Sequence, residues 1–277
     1  MADDASTRRG YADAVVEAAL ALTPAHPRRP WLLGLSGLQG SGKSTLAAQI
    51  VAAATARGET ALALSIDDFY FGRAHRRRLA GRVHPLLATR GVPGTHEIAL
   101  VLATLDALAQ ASPARPACVP RFDKGRDTRV PPSRWRRMTR VPDLIVFEGW
   151  CVGVPPQSEA ALRRAINALE READRDARWR RYVNARLETD YVPLWRRLAR
   201  LVTIEAPGFE VVARWRDEQE RALRARAAPK AMSPAALERF LMHYERLSRH
   251  ALATLPKRAD LRIVLDPQRR VRRIVTR

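Results

Sequence analysis

The residues best suited to chemistry form one run near the start of the chain. Gly37-Leu38-Gln39-Gly40-Ser41-Gly42-Lys43-Ser44 fits G-x-x-x-x-G-K-[ST] at every position, and Thr45 follows. At this chain's own Gly, Lys and Ser/Thr frequencies, a chance match would arise on the order of once in a thousand such chains, so the spacing is informative. The glycines let backbone N–H groups turn inward around phosphate oxygens, beside the positive end of the helix that the loop opens. Lys43 is expected to reach the β- and γ-phosphates, and the Ser44 hydroxyl to ligate Mg2+. The run is expected to bind a nucleoside triphosphate.

Two acidic positions could complete a phosphoryl-transfer site. Asp67-Asp68-Phe69-Tyr70 follows an apolar run at 61–66. Carboxylates at the C-terminal end of a strand face the crevice where ligands bind in open α/β sheets. Asp67 is the expected base for an acceptor hydroxyl, or a Mg2+ ligand; the plainer alternative is an aspartate pair capping a short helix. A second apolar run, 143–147, ends in Glu148-Gly149, where an acid would hold Mg2+ through water. The loops RGVPGTHE (90–97) and PRFDKGRD (120–127) contribute Arg90, His96, Arg121, Asp123 and Lys124 as acceptor-site groups, with Asp68 and Tyr70. Arginine forks there would match a carboxylate or phosphate on the acceptor. Arg214 and Arg216 begin a basic stretch continuing through Arg221, Arg224, Arg226 and Lys230. It is expected to form a lid over about 214–232, closing cations on the transferring group. An ordinary helix with i,i+4 pairs such as Glu220 with Arg224 is the bland alternative.

These groups need a frame. Apolar runs at 31–35, 61–66, 118–122, 143–147, 201–204 and 261–265 read as strands. Helical spacing covers 11–22, 44–57, 98–109, 209–226 and 234–252, and Ser233-Pro234 supplies an N-cap followed by proline in the first turn. The charged stretch 158–200 reads as two helices broken near Pro193. Strands alternating with helices imply a mostly parallel sheet covered on both faces. The expected organisation is an N-terminal helix and linker over 1–30, then one α/β domain over 31–277.

Composition narrows the classes. With 277 residues, 46% hydrophobic and 28% charged, the chain can bury a full core unaided by disulfides or structural metal. The longest stretches without a charged side chain, 30–42 and 44–56, fall short of the roughly 18 apolar residues of a membrane span. Residues 1–10 lack the basic and apolar regions of a secretory signal. Cys118 and Cys151 alone make neither a disulfide framework nor a zinc site. A reducing cytoplasm is the expected setting. Forty-nine basic against 29 acidic residues give +20, and only Lys43, Lys124, Lys230 and Lys257 are lysines. Such charge could recruit nucleic acid, but the arginines are dispersed and aromatics are only 6%, so a nucleic-acid partner is not the expected role.

With these motifs in order, the chain resembles the D-glycerate 3-kinase family and its bacterial P-loop kinase relatives, near the uridine, phosphoribulose and pantothenate kinases. The resemblance rests on GLSGLQGSGKST (34–45), DDFY (67–70), RGVPGTH (90–96), PRFDKG (120–125), FEGWCVG (147–153), NALERE (167–172), WRRYVN (179–184), APGFEVVARWRDEQE (206–220) and MSPAALERFLMHYERL (232–247). It implies a three-layer P-loop NTPase fold with a helical insertion and lid. It also implies transfer of the ATP γ-phosphate, with Mg2+, to a small-molecule hydroxyl, D-glycerate foremost. In that family the first acid of the DDFY-like motif, here Asp67, serves as base or metal ligand. Two positions depart from the family pattern: Asp127-Thr128-Arg129 after PRFDKG, and Pro234 after Met232-Ser233. A uridine- or pantothenate-type kinase, or an ATP-binding protein associated with nucleic acid, remains an alternative.

Overall fold

A computed structural model describes residues 10–24, 29–225 and 232–277. The core is a six-stranded sheet: β1 (Trp31–Gly37), β2 (Ala61–Ser65), β3 (Leu144–Gly149), β4 (Arg200–Glu205), β5 (Leu261–Leu265) and β6 (Val271–Thr276). Across the sheet the order is β6-β5-β4-β1-β3-β2. All neighbours are parallel except β6, which runs antiparallel to β5 along one edge. The period of two along each strand sends alternate side chains to opposite layers. Leu32, Ile145 and Phe147 enter one core, while Trp31, Leu33, Leu35, Leu144 and Val146 enter the other.

Helices cover both faces, as the alternating pattern implies. They are α1 (Asp13–Leu20), α2 (Lys43–Ala56), α3 (Arg73–Arg82), α4 (Ile98–Leu108), α5 (Glu159–Arg163), α6 (Ala168–Ala173), α7 (Arg178–Arg186), α8 (Val192–Trp195), α9 (Glu210–Ala225) and α10 (Pro234–Thr254). Ser233 caps α10 as expected, its Oγ accepting from the Ala236 N–H. Buried residues of α1 and α2 share the core of Leu33 and Leu35; those of α4 share the core of Phe147. The fold is an α/β P-loop NTPase sandwich.

Several expectations are corrected. The run at 118–122 does not join the sheet: Ala117–Val119 pairs with Arg136–Met138, and Phe122–Asp123 pairs with Thr128–Arg129, as two short antiparallel pairs. The stretch 158–200 holds four short helices, and Pro193 does not break it. A π-helical turn, Leu187–Tyr191, leads from α7 into α8, where Pro193 occupies the first turn and needs no N–H partner. The interruption lies earlier, at Ala177, whose φ is 60°. There the wholly buried Asp174 caps α7 from outside, accepting from the Trp179 and Arg180 N–H groups and pairing with the Arg180 guanidinium at 2.8 Å. Helix α3 and strand β6 are further elements, both written in arginine-rich sequence. Residues 25–28 of the expected linker, and Arg226 and Lys230 of the expected lid, lie outside the described residues.

Candidate active site

The sheet brings three sequence-distant segments to one end. β3 lies between β1 and β2, with Glu148 in register with both Leu35 and Ser65. Glu148 is thereby placed beside the glycine loop after β1 and the DDFY turn after β2. The loop runs from Gly37, the last residue of β1, to Gly42, the N-cap of α2. Gly40 packs so closely on Trp215 of α9 that a Cβ there would come within 2.8 Å of the Trp215 Cβ. Lys43 folds across the loop, its Nζ donating to the Leu38 carbonyl at 3.0 Å. Burial pushes the Lys43 ammonium below its usual pKa, and Glu148 opposes that shift. Ser44 Oγ donates to Glu148 Oε1 at 3.0 Å. These groups and Asp67 are all oxygen donors, the set that a hard divalent cation takes, so the residues fit Mg2+.

Asp67 and Asp68 lie in a single helical turn, Ile66–Phe69, capped by Ser65 Oγ. The two side chains do different work. Tyr70 donates its hydroxyl to Asp67 Oδ1 at 2.7 Å, and Lys124 Nζ donates to Oδ2 at 2.6 Å. Burial pushes the Asp67 carboxyl up, but the Lys124 ammonium and the hydrogen bonds outweigh it and hold it below the ordinary range. Asp68 Oδ1 instead accepts from the Phe122 N–H at 3.0 Å, tying the Lys124 loop to the turn; burial raises its pKa.

The glycine loop and Asp67 share a cleft of about 320 Å³. Gln39, Gly40, Gly42, Lys43, Ser44, Thr45, Asp67, Tyr70, Arg90, Lys124, Glu148, Gly149 and Arg216 all line it. Trp150, Phe240 and Tyr244 complete the wall. The first of these directly follows Glu148-Gly149; the other two lie on α10 and carry no local signal. Gly37, Leu38 and Ser41 frame the loop without lining the cleft. Asp68, Arg121 and Asp123 face a second cavity, of about 750 Å³, which shares Ser44, Asp67, Lys124 and Glu148 with the first. Asp123 there accepts from the Arg126 N–H at 2.9 Å.

His96 does not reach the cleft. It is 2% exposed, stacked at 4.4 Å on the Tyr70 ring, with Nδ1 2.7 Å from the Tyr191 hydroxyl. Burial pushes its pKa down to about 4, so the ring is neutral and supports Tyr70 from behind. Arg214 also points away, donating to the Pro267 carbonyl. Arg216 faces the cleft and pairs with Glu220 at 2.8 Å, while the other Glu220 oxygen accepts from the Met232 N–H at 3.1 Å. Glu220 thereby ties α9 to Met232, just ahead of α10.

Within the departing stretch 127–129, Asp127 has a structural part. Its carboxylate bridges Arg90 at 2.6 Å and the buried Arg76 of α3 at 2.5 Å. The Tyr244 hydroxyl donates to the Arg90 carbonyl at 3.0 Å, and the Trp150 indole to the Gly91 carbonyl at 3.1 Å. The acceptor-side loop is held from both flanks.

No family model matches the chain. It is 34% identical over 254 residues to the "Uncharacterized kinase mug58" of Schizosaccharomyces pombe, across 87% of this chain and 90% of that one. It is 29% identical over 228 residues to the chloroplastic D-glycerate 3-kinase of Arabidopsis thaliana, across 78% of this chain and 46% of the plant protein. Among solved structures, the D-glycerate 3-kinase of Cryptococcus neoformans var. grubii superposes with a TM-score of 0.76, covering 96% of this chain and 98% of that one. At 20% identity that likeness speaks to fold. Identity sustained along nearly the whole of both chains, on an α/β fold whose strand ends bring a glycine-rich loop and two acids together, places this chain in the same kinase family as the fission-yeast protein.

Proposed function

We propose that the chain transfers the γ-phosphoryl group of ATP to a hydroxyl of D-glycerate, giving 3-phosphoglycerate, in a reducing cytoplasm. One observation carries the reading. The phosphate loop opens into the same cleft as Asp67, and the cationic side chains Arg90 and Lys124 line that cleft as well. These cations suit a carboxylate.

Asp67, ionised and aligned by Tyr70, is placed to accept the proton of the acceptor hydroxyl. Lys124, paired with Asp67 in the structure, can turn to the acceptor's carboxylate or to the transferring group. Lys43 leaves the Leu38 carbonyl for the β- and γ-phosphate oxygens, and Arg216 faces them from the lid side. Ser44 and Glu148, with Asp67 alongside, would hold Mg2+, whose charge neutralises those oxygens when it is bound. Aromatic stacking for a nucleobase acceptor would be expected in a uridine-type kinase; Trp150 and Tyr244 are instead hydrogen-bonded to the 90–91 backbone.

The test is ADP release from Mg-ATP across D-glycerate, pantothenate, uridine, ribulose 5-phosphate and no acceptor. Stimulation by D-glycerate with 3-phosphoglycerate as product is expected. Preference for another acceptor would refute the substrate assignment. Lys43→Ala should abolish turnover in a folded protein, and an unimpaired variant would remove the site assignment.

A further inference from the structure

Tyr11, just ahead of helix α1, joins the start of the described chain to the glycine loop. The Tyr11 hydroxyl donates to the Ser41 carbonyl at 2.6 Å, across 30 residues of sequence. Tyr11 is fixed in turn by Gln49 of α2, which accepts from its N–H and donates to its carbonyl, both at 2.8 Å. From there α1 runs along α2, with Val15, Val16, Ala19 and Leu20 buried in the shared core.

The contact has a consequence for phosphate binding through the geometry of one peptide. In a planar trans peptide the C=O of one residue and the N–H of the next point in opposite directions. A Ser41 carbonyl held outward on Tyr11 therefore turns the Gly42 N–H inward, toward the mouth of the loop. Among the described residues no acceptor takes that N–H. Gly42 has φ of 90°, and a Cβ there would come within 3.2 Å of the Tyr11 ring. The ring thus backs the loop at the residue where the chain enters α2.

We propose that Tyr11 is a positioning residue for the phosphate loop: its hydroxyl fixes the 41–42 peptide so that the Gly42 N–H is presented to a phosphate oxygen before ligand arrives. The inference rests on the reading of this loop as the triphosphate site. It assigns the segment leading into α1 a part in nucleotide affinity.

The experiment is titration calorimetry of wild type and Tyr11→Phe with ATP and with inorganic tripolyphosphate. Phenylalanine keeps the ring packing and removes only the hydroxyl. Affinity for both ligands is expected to fall by the same factor, about five-fold, the scale of one net hydrogen bond. Glu17→Gln, which loosens the exposed ion pair between α1 and Arg57, should leave both affinities unchanged, since it weakens the helix without touching the loop. Unchanged affinity in Tyr11→Phe would overturn the proposal. So would a loss confined to ATP, because that would place Tyr11 against the nucleoside. An equal loss in Glu17→Gln would reduce Tyr11 to a packing residue. If wild type bound neither ligand, the triphosphate reading itself would fall, and the proposal with it.

Discussion

Replacing Asp127 with Ala separates what holds the acceptor loop from what performs transfer. Its carboxylate is the shared partner of Arg76 and Arg90, and Arg76 is only 2% exposed. Removing one partner of a buried ion pair costs about 3–5 kcal/mol because a charge is left uncompensated. Two features lower that figure here. Arg76 keeps hydrogen bonds to the Phe71 and Ala88 carbonyls at 3.1 and 3.3 Å, and the Asp127 side chain is itself 24% exposed, so water can reach the gap. A cost of about 2 kcal/mol is expected. A domain of this length unfolds with an entropy of roughly 0.6 kcal/mol per kelvin, which converts that cost to a fall in Tm of about 3–4 °C. Calorimetry reads the fall. Steady-state kinetics should show a raised KM for the acceptor with KM for ATP unchanged, since Arg90 loses its anchor while the phosphate loop is untouched. A Tm within 1 °C of wild type would refute the reasoning that Asp127 neutralises a buried arginine.

Two other outcomes follow from the site. Lys124→Met should lower kcat by about a hundredfold, the scale of losing one group that stabilises transition-state charge. Its stability cost should stay below about 1 kcal/mol, because the lysine is 59% exposed; a normal kcat would remove Lys124 from the machinery. His96, buried and with its pKa pushed down to about 4, binds its proton more readily in the unfolded chain. Its contribution is complete above about pH 6.5 and is lost as pH falls toward 4, by up to about 3 kcal/mol. Urea midpoints between pH 7 and 4 should therefore fall less steeply in His96→Gln, and parallel curves would show that the ring does not titrate as argued.

The phosphate loop was legible because its chemistry is local: eight consecutive residues set both the turn and the helix start. Asp67 and Glu148 were legible because each ends an apolar strand, and the sheet order then brings the two ends together. What escaped the sequence depends on distant partners. His96 looks like a ligand-binding group in a linear reading, yet it is stacked behind Tyr70. Arg214 and Arg216, two residues apart on one helix, point to different surroundings. Helix α3, RAHRRRLAGR, has almost no apolar face; its one buried side chain is Arg76, whose charge is met by Asp127 from 51 residues away.

The edge strand β6 gives the arginine-rich composition a purpose unrelated to ligands. A sheet ending in an unpaired strand offers its free N–H and C=O groups to any other edge that arrives, and long apolar edges polymerise for that reason. β6 forms such an edge, and Val271 on it is exposed. Arg272 and Arg273 also stand exposed there. Two copies approaching edge to edge would press like charges together at the separation where backbone pairing would begin. The positive charge at this margin thus opposes edge-to-edge pairing of two copies.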